Sequence, residues 1–393
     1  MTPAMLAIVL LWTPGFAEET ATDHYDLLAE GIDAKDTGAA LEALHAKLAE
    51  YFGSAPKERL RLEVYSTKAR FAAAMRADGE TPPDAGGYYS PNTKKAYLWV
   101  QPSEYFTRQL VLHEATHQFH YLVATGNRRP RAGWYTEGLA EYFGMHDWDG
   151  ETLAPGVIPP VTLEDYPARA FEQFAAARED LEGALTGART IDRPFAWAIV
   201  HWLVNKRPRT WHRLARALDA GRRPLDATKQ CIGEVTPMIV AEFRTWLRTH
   251  QQPWRIAWVG WQGRGERIEG VSGTNALALM KERPPSLRAE IDGLGPHMWA
   301  GVAFGYRSID EFWLVQAAAD GTARVVQRTG GRWKIQAQID APADGAPSVE
   351  VACDGDLVTT TVNGENLGTF EAPGDIGLNV DSGRVRFRVD AGK

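Results

Sequence analysis

His113-Glu114-Ala115-Thr116-His117 is the segment of this chain best equipped for chemistry. On a helix, two histidines four positions apart lie on one face, near enough for both imidazoles to reach a single ion. The glutamate after the first histidine then stands where it can take a proton from a metal-activated water. A catalytic zinc takes three protein ligands and leaves one position open. The third donor must come from another element, and Trp134 to Phe143 supplies it as Glu137. Enough chain separates Glu137 from His117 for a turn and a returning helix. The rival reading is two solvated helix histidines, with Glu137 an ordinary acid of a first helical turn.

These residues need helices to hold them. Ser103 is a suitable N-cap, Glu104 suits the positive end of the dipole, and Gly126-Asn127 is a stop, which predicts a helix from Glu104 to Thr125. Its apolar face carries Phe106, Leu110, Val111 and Phe119. A second helix is predicted over Tyr135–Phe143, where Glu137 and Glu141 share a face. Upstream, Asp23–Tyr51 has helical periodicity, Leu60–Tyr65 alternates as a strand, and Thr67–Arg76 is helical again. Tyr88-Tyr89, the turn Ser90-Pro91-Asn92-Thr93 and Lys95–Val100 read as a hairpin. Downstream, Pro194–Asn205, Trp211–Ala220 and Thr236–Thr249 are further helices. Past Trp254 the texture changes to short alternating runs, such as Met298–Tyr306 and Leu357–Val362, with turn signals at Asp354-Gly355 and Asn363-Gly364. That pattern predicts a β-sandwich. His120 reads as structural or as support for a ligand, and His201 as a satisfied core histidine.

At 393 residues, with 44% hydrophobic and 24% charged residues, the chain has the composition of two globular domains. A net charge of -7 argues against nucleic acid as partner. The basic clusters Arg128-Arg129-Pro130-Arg131 and Lys206-Arg207-Pro208-Arg209 are short and read as solvated loops. Residues 1–17 resemble a secretory signal: an apolar run from Met5 to Trp12, then Pro14-Gly15-Phe16-Ala17. The expected location is therefore secreted or periplasmic, and no later segment approaches membrane-spanning length. Cys231 and Cys353, far apart and in different predicted domains, read as separate thiols.

The HExxH helix followed by Glu137-Gly138-Leu139-Ala140-Glu141-Tyr142 resembles the gluzincins, zinc metallopeptidases of the thermolysin and aminopeptidase type, over residues 85–205. The resemblance implies one zinc per chain on His113, His117 and Glu137, with Glu114 as general base and Glu141 steadying a ligand histidine. It implies a peptide or protein substrate. It also implies a docking edge strand, to which Lys95–Val100 corresponds by position, with Tyr97, Leu98 and Trp99 as substrate-binding residues. Aminopeptidase-like members carry an oxyanion-stabilising tyrosine before a helix. Here that helix starts Arg193-Pro194-Phe195 without a tyrosine, so Arg193 and Tyr166 stand as candidate oxyanion donors. Trp299–Tyr306, Glu311–Leu314 and Val362–Gly368 resemble concanavalin A-like and laminin G-like sandwiches. The expected fold class is thus α+β: a mainly helical zincin-like peptidase domain with a small sheet over 18–252, then an all-β jelly-roll sandwich over 253–393. The alternative function is a catalytically weak or inactive scaffold whose sandwich binds a carbohydrate or cell-surface partner.

Overall fold

Burial alternates along Tyr25–Ala29, with Tyr25, Leu27 and Ala29 inside, so this segment is a strand. The helix expected from Asp23 starts only at Ala34, where the Asp33 side chain accepts the Asp36 N–H. In the computed structural model, residues 17–392 are described except 163, 259, 265, 266 and 274. Of the expected leader, residues 1–17, only Ala17 falls among them. They form two compact units. One holds the chain up to Gln101 together with Leu110–Arg128, the other Pro102–Gln109 together with the chain from Arg129.

The first unit is built on a five-stranded sheet. Its elements are β1 (Glu18–Ala21), β2 (Tyr25–Ala29), α1 (Ala34–Phe52), β3 (Leu60–Tyr65), α2 (Lys68–Ala77), β4 (Gly87–Ser90) and β5 (Lys95–Trp99). The strand order is β1-β2-β3-β5-β4, parallel at β2–β3 and β3–β5 and antiparallel elsewhere. The predicted hairpin forms, but β5 is an interior strand, paired with β3 on one side and β4 on the other. This corrects the assignment of Lys95–Val100 as a docking edge. Tyr97 and Leu98 are fully buried, and the half-buried Trp99 donates its indole N–H to the Ala85 carbonyl. The edge strand on that side of the sheet is β4, and β1 is the edge at the other end.

In the second unit the helices are α4 (Gly133–Gly144), α5 (Tyr166–Ala176), α6 (Leu181–Thr186), α7 (Arg193–Lys206), α8 (Pro208–Asp219), α9 (Pro224–Cys231) and α10 (Pro237–Thr249). Before them α3 (Glu104–Ala124) begins, with the Ser103 hydroxyl accepting the Phe106 N–H. A short hairpin, β6 (His146–Trp148) with β7 (Leu153–Pro155), follows α4. Helices α4 and α7 cross tightly at Gly138. A Cβ there would lie 2.4 Å from the Ala196 carbonyl oxygen and 2.6 Å from Val200 Cγ2. Gly138→Ala should therefore cost about 1–3 kcal/mol by overpacking, seen as a lower thermal midpoint of the helical dichroism. An unchanged midpoint would mean that the two helices separate freely.

The sandwich has two antiparallel seven-stranded sheets, made from β8 (Trp254–Ile256), β9 (Trp261–Arg264), β10 (Arg267–Ser272), β11 (Ala276–Met280), β12 (Ser286–Asp292), β13 (Trp299–Ser308), β14 (Glu311–Ala318), β15 (Thr322–Thr329), β16 (Arg332–Asp340), β17 (Ser348–Asp354), β18 (Leu357–Val362), β19 (Glu365–Glu371), β20 (Asp375–Val380) and β21 (Gly383–Ala391). Their orders are β19-β18-β17-β12-β21-β10-β9 and β16-β15-β14-β13-β20-β11-β8. Alternate residues face inward, among them Val302, Phe304, Val315 and Leu378 from one sheet and Leu287, Ile291, Val351 and Phe387 from the other. Helical texture ends at Thr249 and strands begin at Trp254, yet compactness divides the chain elsewhere, because the helices from α4 onward pack with the sandwich. Val161 belongs to the sandwich core. Gln252 donates to the Pro159 carbonyl, and Gln262 Oε1 accepts the Tyr105 backbone N–H at 3.0 Å. The two cysteines are free thiols. Among the described residues no helix is long and apolar enough to cross a membrane.

Candidate metal centre

Helix α3 carries His113, Glu114 and His117, which are 1%, 2% and 7% exposed. The two imidazoles meet edge to face with centroids 4.7 Å apart, the one-face arrangement that their spacing predicts. Glu114 lies against β4: a Cβ on Gly87 would sit 2.9 Å from Glu114 Cγ. One turn further, His120 is buried with its ring stacked on Phe52 at 5.3 Å, a structural placement.

Helix α4 presents Glu137 and Glu141 one turn apart. Glu141 is 2% exposed and accepts from Gln109 Nε2 at 3.2 Å. The Tyr166 hydroxyl also bonds to Glu141, and burial, then the charge of Glu141, push its pKa upward, so Tyr166 remains a protonated donor. Arg193 Nε lies 3.3 Å from Glu137 Oε2, and its Nη1 lies 3.9 Å from Glu141 Oε1. Arg129 Nη2 lies 3.4 Å from Glu137 Oε1. Arg193 starts α7, whose N-cap Asp192 accepts the Phe195 N–H.

One potential ligand atom from each of His113, His117 and Glu137 lies within 4.8 Å of the others. Two imidazole nitrogens and a carboxylate oxygen form the donor set that suits zinc in a hydrolytic site. Tyr97, Leu98 and Trp99, expected to bind substrate, lie on the interior strand β5, with Tyr97 and Leu98 fully buried. His201, on α7, is a core residue: Nε2 meets the Gly156 carbonyl at 2.8 Å, and burial lowers its pKa to about 4, so it is neutral. Sequence reasoning passed over Gly87, Gln109 and Arg129. The only signal was a double glycine, a glutamine one turn before the motif, and a basic loop.

No protein-family model matches the chain, and no curated protein matches it. Solved structures do match its C-terminal sandwich. One is a carbohydrate-binding module from Bacillus subtilis, 16% identical, covering 35% of this chain and 96% of that chain at a TM-score of 0.31. Another is a GH43 protein from Bacillus licheniformis, 13% identical, covering 35% of this chain and 36% of the other, with a TM-score of 0.30. A third is a galectin from Caenorhabditis elegans, 16% identical, covering 32% and 96% at a TM-score of 0.24. The sandwich itself rests on the two sheets described above.

Proposed function

We propose that the chain is a secreted or periplasmic zinc-dependent hydrolase of peptide bonds. The observation that carries this reading is the convergence of His113, His117 and Glu137 within ligand distance of one ion, with Glu114 next to His113 on α3. Zinc, when bound, would supply Lewis-acid activation of a water and of the scissile carbonyl. Glu114 then takes the proton of the attacking water and returns it to the leaving amine. Glu141, held by Gln109 and Tyr166, would steady the ligand set, and Arg193 is a candidate donor for an oxyanion. An extended substrate would add to β4, the edge strand beside β5, by main-chain pairing.

The test is metal content after dialysis and zinc reloading. About one zinc per chain is expected, falling to background in His117→Ala and Glu137→Ala. No uptake by the parent protein rejects the reading.

The second reading is a weakly catalytic or inactive scaffold whose sandwich binds a glycan or cell-surface partner. The carbohydrate-binding module and the galectin named above belong with this reading, through what they themselves bind or are called. In this chain the half-buried Trp299, with the Arg324 guanidinium 3.8 Å from its ring centroid, offers an aromatic and a charged group of the kind a sugar uses, while the neighbouring Gln316 and Asn379 are buried and bonded to each other. Retention of the full chain on immobilised polysaccharides, lost in Trp299→Ala, tests it.

A further inference from the structure

Between Lys206 and Lys229 the chain carries eight lysines and arginines against two acids, a net of +6 in a chain whose total is -7. The rest of the molecule is therefore acidic, and positive charge is gathered on α8 and its two junctions. Lys206 ends α7 and Arg209 falls in the first turn of α8, so this cluster joins two helices and is not a loop of its own. Along α8, Trp211, Leu214, Ala215 and Leu218 are buried. Arg209, Arg213 and Arg216 recur at i, i+4 and i+7 on the exposed side of a helix about 18 Å long. Arg213 donates to the Gln230 carbonyl at 3.1 Å, which joins this stripe to the end of α9.

Helix dipoles account for only part of the pattern. Lys206, Arg216 and Lys229 stand in last turns, where a cation is favoured. Arg209 stands at the opposite end of α8, and Arg222 and Arg223 precede α9, where cations are disfavoured. The carboxylates nearby are already engaged: Asp219 by the Tyr135 hydroxyl, Asp226 by Arg223 and Glu242 by Arg207, the two ion pairs at 2.7 Å. The Arg223 bond, together with the charges of Arg222 and Lys229, holds the Asp226 carboxyl below its usual range. Among the described residues no carboxylate pairs with Arg209, Arg216, Arg222 or Lys229. Exposed apolar side chains lie between these cations. Leu225 shares a face of α9 with Lys229, and Met238 shares a face of α10 with Glu242, the partner of Arg207. Trp202 and Trp211 are buried, so this region offers no indole to a nucleobase.

Exposed guanidinium groups suit phosphodiesters. Apolar side chains set among cations suit the headgroup boundary of a bilayer better than a dissolved polyanion. We infer that the α8–α9 face docks the protein on an anionic phospholipid surface. None of its residues belongs to the proposed metal centre, so the two stand or fall separately. The test sediments the full chain with vesicles of phosphatidylglycerol and phosphatidylcholine, and with vesicles of phosphatidylcholine alone. Binding is expected to the first only, and should be lost in about 1 M salt, where charges are screened within about 3 Å. Each cation removed should weaken binding about fivefold, so Arg209→Gln, Arg216→Gln and Arg222→Gln combined should weaken it about a hundredfold. The control combines Lys35→Gln, Lys47→Gln and Lys57→Gln, exposed lysines of the first unit. It lowers the net charge equally and should bind as the parent does. All six side chains are exposed, so the dichroism of both variants should match the parent. No binding of the parent to the anionic vesicles, equal loss in both triple variants, or tighter binding to dissolved polyphosphate than to vesicles overturns the inference.

Discussion

Glu114→Gln should lower peptide hydrolysis about 10²–10⁴-fold while the zinc content stays at that of the parent. Glutamine keeps the shape and hydrogen-bonding reach of the side chain and loses only its ability to accept a proton as a base. Glu114 is 2% exposed on α3, directly after His113, so its carboxylate is held by the same helix that presents the histidines. In the proposed centre Glu137 would be taken up by the ion, and Glu141 is engaged by Gln109 and Tyr166. The measurement is kcat on a peptide library with zinc determined on the same samples. Equal cleavage by mutant and parent would remove Glu114 from the mechanism. Loss of zinc together with activity would turn it from a base into a structural residue.

Much of this arrangement was legible because local signals agreed. Ser103, the apolar repeat and Gly126 bounded α3, and the alternation after Trp254 announced the sandwich. The failures share a cause: each required knowing what lies beside an element. Tyr25–Ala29 contains Leu27 and Leu28, which fit a helical repeat as readily as a strand, and only parallel pairing with β3 settles it. The β4–β5 hairpin was visible, but a hairpin does not say which of its strands turns toward the rest of the sheet. Register with Arg61–Tyr65 places β5 inside. Compactness was beyond reach for the same reason, since the Tyr105–Gln262 bond spans 157 residues of sequence.

The two candidate oxyanion donors also separate once their neighbours are known. Tyr166 and Arg193 both approach Glu141, yet the tyrosine is 3% exposed and spends its hydroxyl there. The arginine is 42% exposed and pairs with Glu137 as well. A buried donor fixed on a second carboxylate would act in the proposed mechanism as a positioning group, and Tyr166 meets that description.

Gly87→Ala should lower the hydrolytic rate about a hundredfold, the cost of displacing a reacting group by about 1 Å, with zinc content close to the parent and a thermal midpoint lowered by overpacking to about the same extent as in the control below. The added methyl would lie 2.9 Å from Glu114 Cγ, 3.0 Å from Oε1 and 3.2 Å from Cδ. Gly87 is not among the positive-φ glycines, so alanine is acceptable to its backbone. The strain therefore falls on the glutamate, whose Cγ is near the root of the side chain and cannot swing clear as a flexible tip would. Gly86→Ala is the matched control. Its methyl would meet Leu110 Cδ2 at 2.8 Å and the Gln101 amide nitrogen at 3.1 Å, an equally tight place without the base. If Gly86→Ala lost as much rate as Gly87→Ala, the effect would belong to strand β4 as a docking edge. A selective loss in Gly87→Ala, visible in kcat more than in KM, would belong to Glu114 and to the glycine that makes room for it.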